Sequence, residues 1–204
     1  MRAEQQLTPK GERHAQQILD AALRCLARDG YAATSLQRVA DEAGLGKRAV
    51  IYYFGSREGL FDAVVRQLGD QLLEQLQQAI AGAQEPADIA SRGFEQLWAA
   101  VTTDRALLVA WFGLTAESIT NPALERTATY ITDRFRALLS SLIDDLLASG
   151  RELRLRRDSL EVLILTGIRG LILEYLERGE TPQLMAAISD FQGWLVAVVG
   201  PPKG

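Results

Sequence analysis

Apolar residues recur at intervals of three and four along nearly the whole of this 204-residue chain, and no stretch alternates apolar with polar long enough for a half-buried strand. This pattern predicts an all-α fold. A helix with one apolar stripe must bury it against a neighbour, so the architecture follows from where the stripes start and stop.

The first stripe predicts a helix from about Glu12 to Arg28, with Ile18, Ala22, Cys25 and Leu26 on one face and Gly30 placed to end it. Thr34 or Ser35 can cap the second helix, Thr34 with Gln37 having the spacing of a capping box, and Gly44 ends it. Gly46 is a weak cap for a third helix, Gly55 closes that helix, and Ser56 caps a long fourth one reaching about Ile80. Five further helical patterns follow "AGAQEP": about Pro86 to Thr102, Asp104 to Ser118, Pro122 to Ser149, Asp158 to Arg178 and Pro182 to Val199. The inner face of the first of these is Ala90, Phe94, Leu97, Trp98 and Val101. The third carries Leu124, Ala128, Ile131, Phe135, Leu138, Leu142 and Leu146 in one stripe about seven turns long. The last two are apolar on more sides than one core covers. With Gly167 and Gly170 allowing close approach, they predict a homodimer built from two helices of each subunit. Both termini, including "GPPKG", read as frayed ends.

Composition excludes several classes. Cys25 is the only cysteine, so no intrachain disulfide can form, and a reducing compartment is expected. The opening "MRAEQQLTPKGERHAQQ" lacks the apolar core of a secretory signal, which makes the expected location cytoplasmic. The most apolar run, Leu160 to Leu173, contains Arg169 and stops at Glu174, short of the roughly 20 residues that span a bilayer. No membrane association is expected. His14 and Cys25 lack the neighbours that a metal site or a nucleophile with its base requires, so neither metal, cofactor nor catalysis is expected. The basic cluster "RELRLRRD" sits between two long helices and reads as a solvated or salt-bridged connection.

Charge is unevenly spread. Residues 1–65 hold 9 Lys and Arg against 8 Asp and Glu, while the rest hold 13 against 18, so the net −4 resides in the C-terminal two thirds. Any approach to nucleic acid must use a local basic face. The stretch "SLQRVADEAGLGKRAVIYYF", Ser35 to Phe54, supplies one. Val39, Ala40, Ala43, Leu45, Val50 and Tyr53 are its inward positions and Gly44 its turn, which is helix-turn-helix spacing. Lys47, Arg48, Ile51 and Tyr52 then share the opposite face of the second helix. Such a face can enter a major groove, with the cations donating to guanine or phosphate and the apolar groups touching thymine methyls.

From Ile18 to Val64, "ILDAALRCLARDGYAATSLQRVADEAGLGKRAVIYYFGSREGLFDAV" resembles the N-terminal domain of the TetR family of transcriptional regulators. The resemblance implies a three-helix DNA-binding domain at residues 1–57, a helical effector-binding and dimerisation domain at 58–204, and a homodimer on double-stranded operator DNA. It implies that Lys47, Arg48 and Tyr52 face DNA, with Tyr53 near the backbone, Arg57 on a phosphate, and Thr34 and Ser35 at a helix start that approaches phosphate. Gly46, Ala49 and Ile51 depart from the family's usual Ser or Thr, Ser or Thr, and Tyr, which removes the usual phosphate hydroxyls and shifts the contact toward Lys47, Arg48 and Tyr52.

Phe94, Trp98, Trp111, Phe112, Tyr130 and Phe135 fall within 42 residues on three successive helices. Their clustering predicts a pocket for a small apolar or aromatic effector, with polar contacts available from Thr102, Thr103, Glu117 and Arg134. The expected function is a ligand-released transcriptional repressor. The alternatives are a helical ligand-binding dimer without DNA binding, or an activator.

Overall fold

Helices of seven or eight residues do not hold together by themselves in water, so the N-terminal region depends on close tertiary packing. In the computed structural model, residues 8–103 and 105–201 are described, and they form nine α-helices and no β-strand. In chain order these are α1 (Pro9–Ala33), α2 (Leu36–Glu42), α3 (Lys47–Phe54), α4 (Arg57–Ile80), α5 (Pro86–Thr103), α6 (Arg105–Ser118), α7 (Glu125–Ala148), α8 (Arg157–Arg178) and α9 (Pro182–Ala197). The all-α fold expected from the periodicity is the fold observed.

Each departure from the expected boundaries has a local cause. The first helix starts three residues early because the Thr8 hydroxyl caps it, accepting from the Gly11 amide at 3.2 Å, and Pro9 suits the first position. Gly30, at φ +73°, interrupts α1 as expected, and a single turn follows it. Ser35 caps α2, its hydroxyl accepting from the Arg38 amide at 3.3 Å. The capping box does not form, because Thr34 is fully buried and donates its hydroxyl to the Gly30 carbonyl at 2.7 Å. Pro122–Leu124 is a separate 3-10 turn capped by Asn121, so α7 begins at Glu125. The helix expected from Asp104 begins at Arg105, Asp104 itself lying outside the described residues. At the C-terminal end α9 stops at Ala197 because the chain turns to pair Val199 with Leu153 in an isolated antiparallel bridge. The Arg154 amide donates to the Val198 carbonyl at 2.9 Å and the Gly200 amide to the Glu152 carbonyl at 2.7 Å. The chain is therefore tied down through Gly200, which corrects the expectation of fraying there. The rest of that expectation, at residues 1–7 and 202–204, lies outside the described residues.

The chain divides into two compact units, one running to Leu68 and including Ala106–Thr129, the other comprising Gly69–Arg105 and the chain from Tyr130 onward. In the first unit α1 packs on α2 and α2 on α3. The buried stripe of α1 is Ile18, Ala21, Ala22, Cys25 and Leu26, and its small members allow close approach by Val39 and Ala40 of α2. Five charges brace these two helices. Glu42 meets Arg24 at 2.8 Å and Arg28 at 3.1 Å, while Asp29 meets Arg28 at 3.1 Å and Arg38 at 3.3 Å. Hydrogen bonds from Arg28 to Asp29 and from Arg24 to Glu42 hold both carboxyls below the ordinary carboxylate range. Their stabilisation is present above that range and is lost only as pH falls through the lowered values. Cys25 is fully buried, and burial raises its thiol pKa, which keeps it a protonated core residue.

Arg57 closes this unit. Its Nε donates to the Thr34 carbonyl at 2.8 Å and one Nη to the Tyr31 carbonyl, while the guanidinium lies 4.1 Å from the Tyr31 ring centre and 5.2 Å from that of Phe61. One side chain thus ties the start of α4 to the loop before α2.

In the second unit α9 packs on both α5 and α8. Phe94, Leu184 and Ile188 form one core cluster, and Ile143, Leu160, Ile164 and Val198 another. Gly167 lets α8 and α9 meet, since a Cβ there would lie 2.5 Å from Cε2 of Phe191. The close approach expected of Gly167 is thus used within the subunit. Two of the four arginines of the basic cluster are seen in pairs: Arg151 forms a forked contact with Glu85 at 2.7 and 2.8 Å, and Arg157 reaches Asp144, Glu161 and the Ser140 carbonyl.

Two stability changes follow. Arg57→Lys keeps the charge but loses the fork over two carbonyls and the flat stack, so it should destabilise the N-terminal unit by about 1–3 kcal/mol, read as a lower urea midpoint. Gly167→Ala should cost about 1–3 kcal/mol through overlap with Phe191, and adding Phe191→Leu should recover part of the loss.

Candidate nucleic-acid interface and apolar cavity

Helix α3 is held from beneath by Val50, its one fully buried residue, and is bounded by Gly46 and by Gly55 at φ +75°. With Val50 inward, the helical period turns Lys47, Arg48, Ile51 and Tyr52 outward, and all four are exposed. Tyr52 is 71% exposed, an unusual state for a tyrosine with no role at the surface. Its ring meets that of Tyr53 edge-on at 5.1 Å between centres, and Tyr53, half-buried, stands over Phe54 at 6.4 Å. The aromatic end of α3 is therefore braced while its tip stays accessible. Ser35 is exposed at the start of α2 beside the amides of that helix's first turn.

The structure separates these six residues from the other two expected at DNA. Thr34 is 1% exposed, with its hydroxyl spent on Gly30, and the guanidinium of Arg57 faces the Tyr31 and Thr34 carbonyls. Both shape the frame behind the surface that Ser35 and α3 present. The residues that orient this surface but were not singled out are Arg24, Arg28 and Glu42. Their spacing along α1 and α2 is visible in the sequence, but pairing across a turn is a property of the fold.

The second unit contains a cavity of about 150 Å³. It is walled by the end of α4 (Leu76, Ile80), by α5 (Ala90, Phe94), by the leucine stripe of α7, by α8 (Leu160, Ile164) and by α9 with its following turn (Leu195, Val199). Of the six aromatic residues expected at a pocket, Phe94 and Phe135 line it. Trp98 instead packs edge-on against Tyr175 at 5.3 Å and donates its indole N–H to Glu180 at 3.3 Å. Tyr130 donates its hydroxyl to Asp70 at 2.8 Å. Trp111 and Phe112 pair with each other at 4.9 Å in the first unit. Thr102 and Thr103 bond back to carbonyls of their own helix, and Arg134 pairs with Asp70 at 3.4 Å. The walls from α8 and α9 are not legible in the sequence, because the apolar excess of both helices reads there as core and subunit interface.

Among the described residues no group of three or more His, Cys, Asp or Glu is placed to hold a metal ion, and no helix is long and apolar enough to cross a membrane.

Residues 18–64 match the family of bacterial regulatory proteins, tetR family. The HTH-type nicotine-responsive transcriptional repressor HdnoR of Paenarthrobacter nicotinovorans is 31% identical over 107 residues, which is 52% of this chain and 55% of that protein. The chain therefore spans about half the length of this relative. A TetR transcription regulator from Haloarcula marismortui has the same fold, with a TM-score of 0.78 at 20% identity over 92% of this chain and 99% of that one. Multidrug binding protein EbrR complexed with ethidium also shares it, with a TM-score of 0.68 at 21% identity over 89% and 98% of the two chains. The matched segment and the capped helix pair it forms place residues 18–64 among the bacterial regulatory proteins of the tetR family, and the rest of the chain shares the fold of the TetR regulator from Haloarcula marismortui.

Proposed function

We propose that the chain is a one-component transcriptional repressor, a homodimer that binds a palindromic operator in double-stranded DNA and releases it when a small apolar or aromatic molecule occupies its C-terminal helices. The observation that carries this reading is the outer face of α3, where Lys47, Arg48, Ile51 and Tyr52 stand exposed together on a helix anchored by Val50. In a net-acidic chain, such a face serves a polyanion better than it serves solvation. DNA contact belongs to residues 1–57 in this reading, and effector binding and dimerisation to residues 58–204. Thr34 and Arg57 act from behind the contact surface. Ser35 and the first-turn amides of α2 meet phosphate, with Tyr53 beside the backbone.

The dimer uses α8 and α9. Val162, Leu163 and Leu173 on α8 and Met185 on α9 are 42 to 54% exposed, and Gly170 has open space where a Cβ would be. Two subunits so joined present two copies of α3 to half-sites about 34–36 Å apart. The description of one relative as a nicotine-responsive repressor supports both the sign of regulation and its small-molecule trigger. A ligand that favours the DNA-incompetent spacing by about 1–3 kcal/mol lowers operator affinity roughly 5- to 150-fold, and operator lowers ligand affinity by the same factor. The function requires no chemistry.

Two measurements test the reading. In a gel shift against a selected operator, binding should weaken steeply with salt. Arg48→Ala should cost about 1–3 kcal/mol and relax preference at one base pair if the arginine reads a guanine, or weaken all sequences alike if it holds phosphate. Unchanged binding by a Lys47, Arg48 and Tyr52 triple alanine variant would remove the assigned face. Sedimentation should give a dimer at micromolar concentration and a monomer for Leu163→Asp. A monomeric parent chain would end both the dimer and the two-half-site operator.

A further inference from the structure

The chemistry of the cavity wall restricts its occupant more narrowly than "apolar or aromatic". Every lining side chain is hydrocarbon, and none carries a donor, an acceptor or a charge. Two rings contribute, Phe94 and Phe135, while the rest of the wall is aliphatic or glycine. The polar groups flanking the wall are engaged with one another. Glu85, next to Pro86 of the wall, holds Arg151, and Arg157 and Ser140 share Glu161. At the end closed by Leu153 and Val199, the Arg154 and Gly200 amides are bonded to backbone carbonyls.

An ion or a hydrogen-bonding group moved from water into this space gives up its solvation and finds no partner, a cost that burial of the rest of a small molecule does not return. Water deep among these side chains is disfavoured for the same reason, since a buried water needs two to four polar partners. Dry cavities of about 150 Å³ lined by Leu, Ile and Phe accept benzene or xenon in another protein, so volume and lack of polarity suffice as the selection rule. With two rings in the wall, stacking adds little, and a short alkyl chain satisfies the wall as well as an aromatic ring does.

We infer that this cavity is a binding site for neutral hydrocarbon without hydrogen-bonding groups, of about the size of benzene or a six-carbon chain, and that it rejects ions of the same size. The inference rests on the proposed effector role of the cavity and names the class of molecule that fills that role. Ethidium, the flat cation held by EbrR, falls outside this class.

The test uses the full chain, with benzene and n-hexane as neutral probes and benzoate, benzylammonium and ethidium as charged ones. Binding is followed by thermal melting and by displacement of xenon seen in its NMR shift. Both hydrocarbons should raise the melting temperature and displace xenon saturably, and the three ions should do neither. Ala90→Leu on α5 and Leu142→Phe on α7 fill the cavity from different walls, and each should weaken hydrocarbon binding about tenfold or more. Absence of xenon and hydrocarbon binding to the parent chain overturns the inference without recourse to either variant. Ions binding as tightly as hydrocarbons, or hydrocarbon affinity unchanged in both filled variants, also overturns it. Operator release is measured in parallel. Hydrocarbon binding with release supports the inference and the effector role together, whereas binding without release supports the ligand class and removes the effector role. Release by charged ligands while hydrocarbons fail to bind removes the inference and leaves the repressor standing.

Discussion

A helix of eight residues that must show most of its surface to the outside has little with which to hold itself. Val50 is the only residue of α3 sunk completely into the core, so the helix exists because α1 and α2 already form a platform for it. That platform depends on small side chains. Ala21, Ala22 and Cys25 face Val39 and Ala40 across a distance that larger residues would widen, and a wider gap would leave Val50 without a seat. The charged braces at Glu42 and Asp29 lie outside this contact and hold its rim. Presentation of Lys47, Arg48 and Tyr52 is therefore a property of three helices, although the side chains sit on one.

Arg57 illustrates how a cation changes role with its neighbours. In sequence it opens a long helix beside a glycine turn, a natural place for a phosphate contact. In the structure two backbone carbonyls and the face of Tyr31 lie within its reach, and the guanidinium faces them. Carbonyls left exposed by the break at Gly30 need donors, and a forked, permanently charged group supplies them better than water at a partly buried site.

Most of the helical framework was legible because an amphipathic helix repeats its stripe several times, so each boundary has many residues voting on it. The capping choice between Thr34 and Ser35 was not, since either hydroxyl can cap and only the break at Gly30 shows which is drawn inward. The outer face of α3 followed directly from one buried valine and a period of 3.6. The cavity did not follow from the aromatic residues. Rings announce themselves in a sequence, but a cavity is missing volume, and no residue type encodes missing volume. Here it lies among leucines such as Leu138, Leu142 and Leu146, which read equally well as ordinary core, while Trp98 has a carboxylate partner of its own at Glu180.

The pairing of Val199 with Leu153 has a further consequence. Both residues belong to the cavity wall, so a stretch far along the chain and a loop some fifty residues earlier close the same space through two backbone hydrogen bonds. Local opening of this short clasp breaks two backbone hydrogen bonds and would widen the space without moving a helix. Deuterium uptake at the Arg154 and Gly200 amides therefore clocks how often this end of the cavity comes apart.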